Sequence, residues 1–223
     1  MDKETYSHER VVVLSKDYIF AKVNVKEDSL TKKQYKIFAT PTALMANADG
    51  QEIDRVVDFH PTEEFLAIIK DYKKGKNTLP DLEKRLSKKP EDVKLLYTLG
   101  DKYQWRGNNE KATEMFTKVV VLDPENISLK ADSASFSLAY LKYRTENYQG
   151  AIADFERFKT EYSNPNLVGD AQIYIALSYE KSDNKAEAVK QYQKYLEMYP
   201  GGENADYAKE HIEKLTQKVE KPE

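Results

Sequence analysis

The spacing of apolar positions changes period twice in the first third of the chain. The run Tyr18-Ile19-Phe20-Ala21-Lys22-Val23-Asn24-Val25 is dense in β-branched and aromatic residues, which predicts a buried strand. Two later runs, "TPTALMANADG" and "QEIDRVVDF", flank the dipeptide Asp49-Gly50. Asp-Gly suits the positive-φ backbone of a tight turn, so a pair of antiparallel strands is predicted there. The period then becomes helical. Phe65, Leu66, Ile68, Ile69 and Tyr72 fall on one helical face after Pro61, and Lys73, Lys74 and Gly75 supply a cationic last turn and a stop. One helix is expected to cover the hairpin.

After "GKNTLP" the strand signals vanish and the pattern stays helical to the end. A boundary is therefore expected near residue 78, with domains at 1–78 and 79–223. The helical part repeats itself. An alanine is followed four residues later by an aromatic ring at Ala112 and Phe116, Ala151 and Phe155, and Ala188 and Tyr192, spaced 39 residues (112 to 151) and then 37 (151 to 188). Twelve residues before each alanine stands a small residue, Gly100, Ala139 or Ala176, preceded by Leu99, Leu138 or Ile175. Small residues at such points let paired helices approach closely.

These positions resemble the tetratricopeptide repeat family, whose unit is a helix hairpin of about 34 residues. The first copy carries Leu96, Leu99, Gly100, Tyr103, Gly107, Ala112, Phe116 and Pro124. The middle copy carries Ala139, Tyr143, Tyr148, Ala151 and Phe155, and the third Ala176, Tyr179, Ala188, Tyr192 and Pro200. The resemblance implies three hairpins over roughly 90–202, a lead-in helix "DLEKRLSKK", and a polar capping helix "ADYAKEHIEKLTQKVEK".

The first segment resembles the C-terminal part of a thioredoxin-like domain. "FATPTALMANADGQEIDRVVDFHPTEEFLAII" is similar to that family's cis-proline strand, Asp-Gly turn, edge strand and last helix, and "MDKETYSHERVVVLSKDYIFAKVNV" is similar to the tail that follows the redox motif in bacterial members. The resemblance places Pro41 at the cis-proline position and Thr40 where an extended substrate strand would dock; the simpler alternative is a proline that opens a strand. It also places Met1 just after the second catalytic cysteine. The expected form is therefore N-terminally shortened, and a chain complete from Met1 would show a damaged sheet with its first strand displaced or abnormally paired. The expected fold is α+β and mostly helical: an incomplete thioredoxin-like α/β domain, then an α-solenoid of three tetratricopeptide-type hairpins plus a capping helix.

Composition narrows the chemistry. The 223 residues contain no cysteine, which removes disulfides, thiolate metal sites and thiol nucleophiles from this chain. His8, His60 and His211 lie far apart and are read as solvated or capping residues; no metal and no cofactor is expected. Charged residues make up 33% of the chain yet nearly cancel, to a net −3, so no one-signed field would gather nucleic acid. No phosphate loop, acid pair or triad spacing appears, and no independent enzyme is expected. No window approaches the roughly 20 apolar residues of a bilayer span, and "MDKETYSHER" lacks a signal peptide's apolar core. The expected location is cytoplasmic, or periplasmic if a signal lies upstream.

The remaining reading is a scaffold. Counting from the matched motif, the first helix of each hairpin turns Tyr97, Asp101, Gln104, Trp105, Phe136, Tyr140, Tyr143, Arg144, Ile173, Leu177, Glu180 and Lys181 toward a groove. Aromatic rings with an arginine nearby bury much area with few rotors to freeze, as peptide-binding surfaces do; the alternative is that some of them pack between hairpins. Repeat domains that clamp a chaperone's C-terminal carboxylate place Lys and Asn where this chain has Tyr97 and Asp101, so an acidic tail is not the expected ligand. The expected partner is an unidentified protein or peptide. The alternative function is a truncated thiol-disulfide oxidoreductase whose cysteines lie upstream.

Overall fold

The computed structural model describes residues 1–217. Three short helical turns open the chain, Asp2–Tyr6, α1 (Glu9–Val12) and Val13–Lys16, followed by α2 (Ser29–Gln34). Strands β1 (Thr42–Ala46) and β2 (Glu52–Val57) come next, and then α3 (Thr62–Lys73), α4 (Leu79–Leu86), α5 (Val93–Gln104) and α6 (Asn109–Leu122). The chain continues through α7 (Ala131–Arg144), α8 (Tyr148–Glu161), α9 (Pro165–Lys181), α10 (Lys185–Met198) and α11 (Ala205–Gln217). It divides into two compact units, residues 1–112 and residues from Thr113 onward. Residues 218–221 of the expected capping helix lie outside the described residues.

In the first unit β1 and β2 pair antiparallel, with Thr42 opposite Val57 and Leu44 opposite Arg55. Gly50 takes φ 75° in the connecting turn, where its N–H donates to the Asn47 carbonyl at 3.0 Å. The Thr40-Pro41 peptide is cis. Helix α3 covers the hairpin as its periodicity predicts: Phe65 and Tyr72 are buried with Val56 and Val11, and Ala43, Met45, Leu66, Ile68 and Ile69 pack around them. Gly75, at φ 66°, ends the helix through its N–H to the Tyr72 carbonyl at 3.0 Å. The opening turns are tied to the same core, since the Thr5 hydroxyl donates to the His60 carbonyl at 2.7 Å.

The expected strand at Tyr18–Val25 is not formed. The segment has no regular structure, and Ile19 is 99% exposed. β propensity expresses how a side chain suits a pleated surface, and backbone donors and acceptors in a strand need a neighbour. The sheet among the described residues has only the order β1-β2, with no third strand beside which this segment could lie. The first unit also continues past residue 78, because helices α4 and α5 are joined to β2 by a buried ionic set described below.

The second unit is built from hairpins α7–α8 and α9–α10, closed by α11 against α10. Each hairpin turns through one positive-φ residue, Glu146 (63°) and Asp183 (61°). Each second helix is then capped by an asparagine: Asn147 Oδ1 accepts from Gly150 N–H at 3.1 Å, and Asn184 Oδ1 from Glu187 N–H at 3.3 Å. The small residues singled out in the sequence, Ala139, Ala151, Ala176 and Ala188, have no exposed surface, which is what close helix approach requires. Gln172 is equally buried and bridges three helices. Its Nε2 donates to the Gln191 carbonyl at 3.0 Å, while its Oε1 accepts from Lys159 Nζ at 2.6 Å.

Candidate functional site

In the second unit the predicted residues Phe136, Tyr140, Tyr143 and Arg144 rise along one side of α7. That side meets α9, and the rings converge on a residue the repeat count did not select, Tyr174. Its ring centroid lies 5.9 Å from Phe136, 5.1 Å from Tyr140, 5.2 Å from Tyr143 and 5.5 Å from Phe155. The first three contacts are edge-to-face and the last is stacked, the arrangements that ring quadrupoles favour. Tyr148 extends the patch, 5.9 Å from Tyr143. Phe136, Tyr140, Tyr143, Tyr148 and Tyr174 are half-buried, so the set serves both as packing between hairpins and as surface. Arg144 lies over the Tyr140 ring, 5.8 Å from its centroid, a cation on a π face.

A polar cluster adjoins this patch at the other end of α9. Glu180 Oε2 accepts from the Tyr192 hydroxyl at 2.8 Å and lies 2.7 Å from His211 Nδ1. The His211 imidazole stacks on Tyr207 at 4.2 Å, and Tyr207 is 38% exposed. His211 is therefore neither solvated nor a cap; it ties α11 to α9. His8 does cap α1, accepting at Nδ1 from Arg10 N–H at 3.3 Å, and His60 instead turns back to the Val57 carbonyl at 3.1 Å.

Burial sets the ionisation of this face, and carboxylates reinforce it. Loss of hydration pushes the Tyr143 hydroxyl up to about 12, with Tyr207, Tyr148, Tyr140 and Glu180 adding to the effect. Burial raises Tyr174 as well, helped by Tyr140, Tyr143 and Asp170. It raises Tyr192 and Tyr207, each with a contribution from Glu180. Asp170 is itself raised by burial, although the Asn204 amide donates to its Oδ1 at 3.1 Å. Burial lowers Arg144, opposed by Tyr140. Of the other predicted groove residues on α9, Ile173 is buried in the α9–α10–α11 core with Leu177 packed against it, while Lys181 is exposed.

Tyr97, Asp101, Gln104 and Trp105 belong to the first unit. Tyr97 and Trp105 are half-buried and Gln104 is buried. Asp101 Oδ1 accepts from Trp105 Nε1–H at 2.9 Å and from Gln104 Nε2 at 3.1 Å. Burial pushes the Asp101 carboxyl above its usual 3.8, outweighing those two donors and Lys102, and Asp58 adds repulsion. A raised carboxyl keeps its proton longer in the folded than in the unfolded chain, so its contribution to stability is lost as pH rises through the folded pKa. Asp101→Asn, which keeps an acceptor for the indole, is expected to be more stable than the parent at pH about 7. The difference should vanish below the unfolded value of 3.8. Urea midpoints of the two proteins across pH check this.

The first unit also contains a buried ionic set that the sequence did not suggest. Asp54 is fully buried. Its Oδ1 receives Lys102 Nζ at 2.8 Å and Arg106 Nη2 at 2.6 Å, and its Oδ2 receives the Leu79 N–H at 2.7 Å. Arg55 extends the set with donations to the carbonyls of Trp105 (2.7 Å) and Tyr35 (2.9 Å) and to Glu52. Thr40 and Pro41 stand at the entry to β1, where the Asp58 N–H donates to the Pro41 carbonyl at 2.9 Å. Among the described residues no group of three or more His, Asp or Glu side chains could hold a metal ion, and no helix is long and apolar enough to cross a membrane.

Residues 129–216 match a family model described as "YfiO: Outer membrane lipoprotein". Among solved structures the chain is similar to one described as "Crystal structure of MamA protein", with 23% identity over 62% of this chain and 75% of that one, at a TM-score of 0.47. It is also similar to "MamA 41-end from Desulfovibrio magneticus RS-1", with 20% identity over 62% of this chain and 82% of that one, at 0.47. A third, "MamA RS-1 ArsTM double mutant", is 18% identical over 71% and 96%, at 0.49. No curated protein matches the chain. The chain is mostly helical, and its second unit is built from successive helix hairpins.

Proposed function

We propose that this chain is a protein-interaction scaffold that holds a polypeptide on the aromatic side of helices α7 and α9. The observation that carries the reading is the convergence of Phe136, Tyr140 and Tyr143 on Tyr174, in rings that stay partly open to solvent. Large rigid rings gain area on contact at small entropic cost, and they dominate the energetics of protein interfaces. For residues 1–78 we infer a thioredoxin-like part, and the order β1, Asp-Gly turn, β2, α3 supports that reading.

The test is a comparison on an arrayed library of random 12-residue peptides. The parent chain is expected to retain a defined subset, and Tyr140→Ala with Tyr143→Ala is expected to weaken binding to it about thirtyfold or more, the range of an interface hot spot. Trp105→Ala asks the same of the first unit. Retention of the subset by the double variant, with unchanged circular dichroism, would overturn the assignment of this surface.

A further inference from the structure

The face described above is ringed by tyrosines and bounded along α9 by two carboxylates, Asp170 and Glu180. Ten residues of α-helix at 1.5 Å each separate them by about 15 Å, the length of four or five residues of extended chain. Along the helix axis Tyr174 falls between them, with Tyr140 and Tyr143 beside it, and Glu180 lies about a third of a turn away toward Tyr192 and His211. We propose that the polypeptide held here is basic, an extended segment carrying two Lys or Arg side chains four or five residues apart, which reach Asp170 and Glu180 while the intervening residues lie on the tyrosine rings. This rests on the scaffold reading and names its partner.

Three observations support a cationic occupant. The π faces of this surface already take positively charged or imidazole groups of the chain itself, Arg144 over Tyr140 at 5.8 Å and His211 on Tyr207 at 4.2 Å. The electrostatic contributions of Asp170 and Glu180 oppose a phenolate at Tyr174, Tyr143, Tyr192 and Tyr207, and the field that disfavours an anion there favours a cation. Asp170 lies under a burial penalty, to which Glu203 adds, so an ammonium or guanidinium brought beside it relieves an existing cost. The groups that stand against it are Arg144, which lies on the Tyr140 ring, the His211 imidazole, which already meets Glu180 Oε2 at 2.7 Å and leaves Oε1 for the incoming cation, and exposed Lys181, next to Glu180 in sequence. A ring face plus a desolvated carboxylate discriminates a cation from an apolar chain of equal length.

The probes are three fluorescein-labelled pools of 12-residue peptides. They share mixed Ser, Leu and Tyr positions and carry at two sites, four residues apart, lysine, norleucine or glutamate. By fluorescence anisotropy the lysine pool is expected to bind about tenfold more tightly than the norleucine pool, and the advantage should shrink from about 0.05 to about 0.5 M salt. Asp170→Asn with Glu180→Gln should abolish the preference, and Lys181→Glu, at an exposed position, should enlarge it. The second variant keeps the test decisive if loss of the Glu180 bonds disturbs folding. Equal binding of the norleucine pool, or preference for glutamate, overturns the basic partner and leaves the scaffold intact. Binding of none of the pools by the parent chain overturns both.

Discussion

Replacing Asp54 by alanine is expected to destabilise the first unit by about 3–5 kcal/mol, the cost of removing one partner from a buried ion pair. Burial alone would raise the Asp54 carboxyl, but the charges and hydrogen bonds of Lys102 and Arg106 outweigh it and hold the carboxyl below its usual 3.8. Without it, Lys102 Nζ retains the Tyr72 hydroxyl at 3.0 Å and Arg106 retains Glu52 at 3.0 Å, while the Leu79 N–H at the start of α4 loses its acceptor. Burial already lowers Lys102, so the orphaned ammonium is the costly remainder. A lowered carboxylate stabilises the fold above its unfolded pKa and ceases to as pH falls through its folded one. In the parent chain this contribution is therefore present at neutral pH and withdrawn below 3.8. Urea unfolding followed by the fluorescence of Trp105, the single tryptophan, measures it. Asp17→Ala is the control: its bridge to Lys73 joins two exposed side chains and should leave the urea midpoint almost unchanged. A loss no larger than that control would show that Asp54 does not hold β2 to α4 and α5.

The hairpin, α3 and the repeats could be read from the sequence because each rests on a local rule. Asp49-Gly50 supplies the turn with its positive φ, and Gly75 supplies the helix stop. At the repeated alanine and aromatic positions, Ala112, Ala151, Ala188, Phe116, Phe155 and Tyr192 all have no exposed surface. Tyr18–Val25 misled for the complementary reason, since a strand depends on a neighbour that local propensity cannot supply. Asp54 is one carboxylate of an alternating stretch and looks like a solvated residue; its partners, Lys102 and Arg106, lie 48 and 52 positions away. Tyr174 was missed by one residue. Counting from the motif turned Ile173 outward, and a single residue is about a quarter-turn of helix, enough to exchange a core position for the centre of the aromatic patch. The Glu180–His211 contact spans 31 positions and leaves no periodic trace.

Phe155→Ala should produce the largest loss in the second unit, about 3–5 kcal/mol, through lost transfer energy plus the cavity left behind. The ring is wholly buried, between Phe136 at 5.3 Å and Tyr174 at 5.5 Å. Those neighbours are themselves braced by Tyr140, Tyr143 and Phe158, so they have little room to collapse into the space. Phe158→Leu, a milder change in the same cluster, should cost less because most of its volume is retained. Thermal unfolding followed by the near-ultraviolet dichroism of the tyrosines would report both variants. If Phe155 is the support beneath the aromatic face, its alanine variant should also lose peptide binding at temperatures where the helices persist, because Tyr174 and Phe136 would no longer be fixed. Retained binding with lowered stability would separate the packing role of these rings from the surface they present.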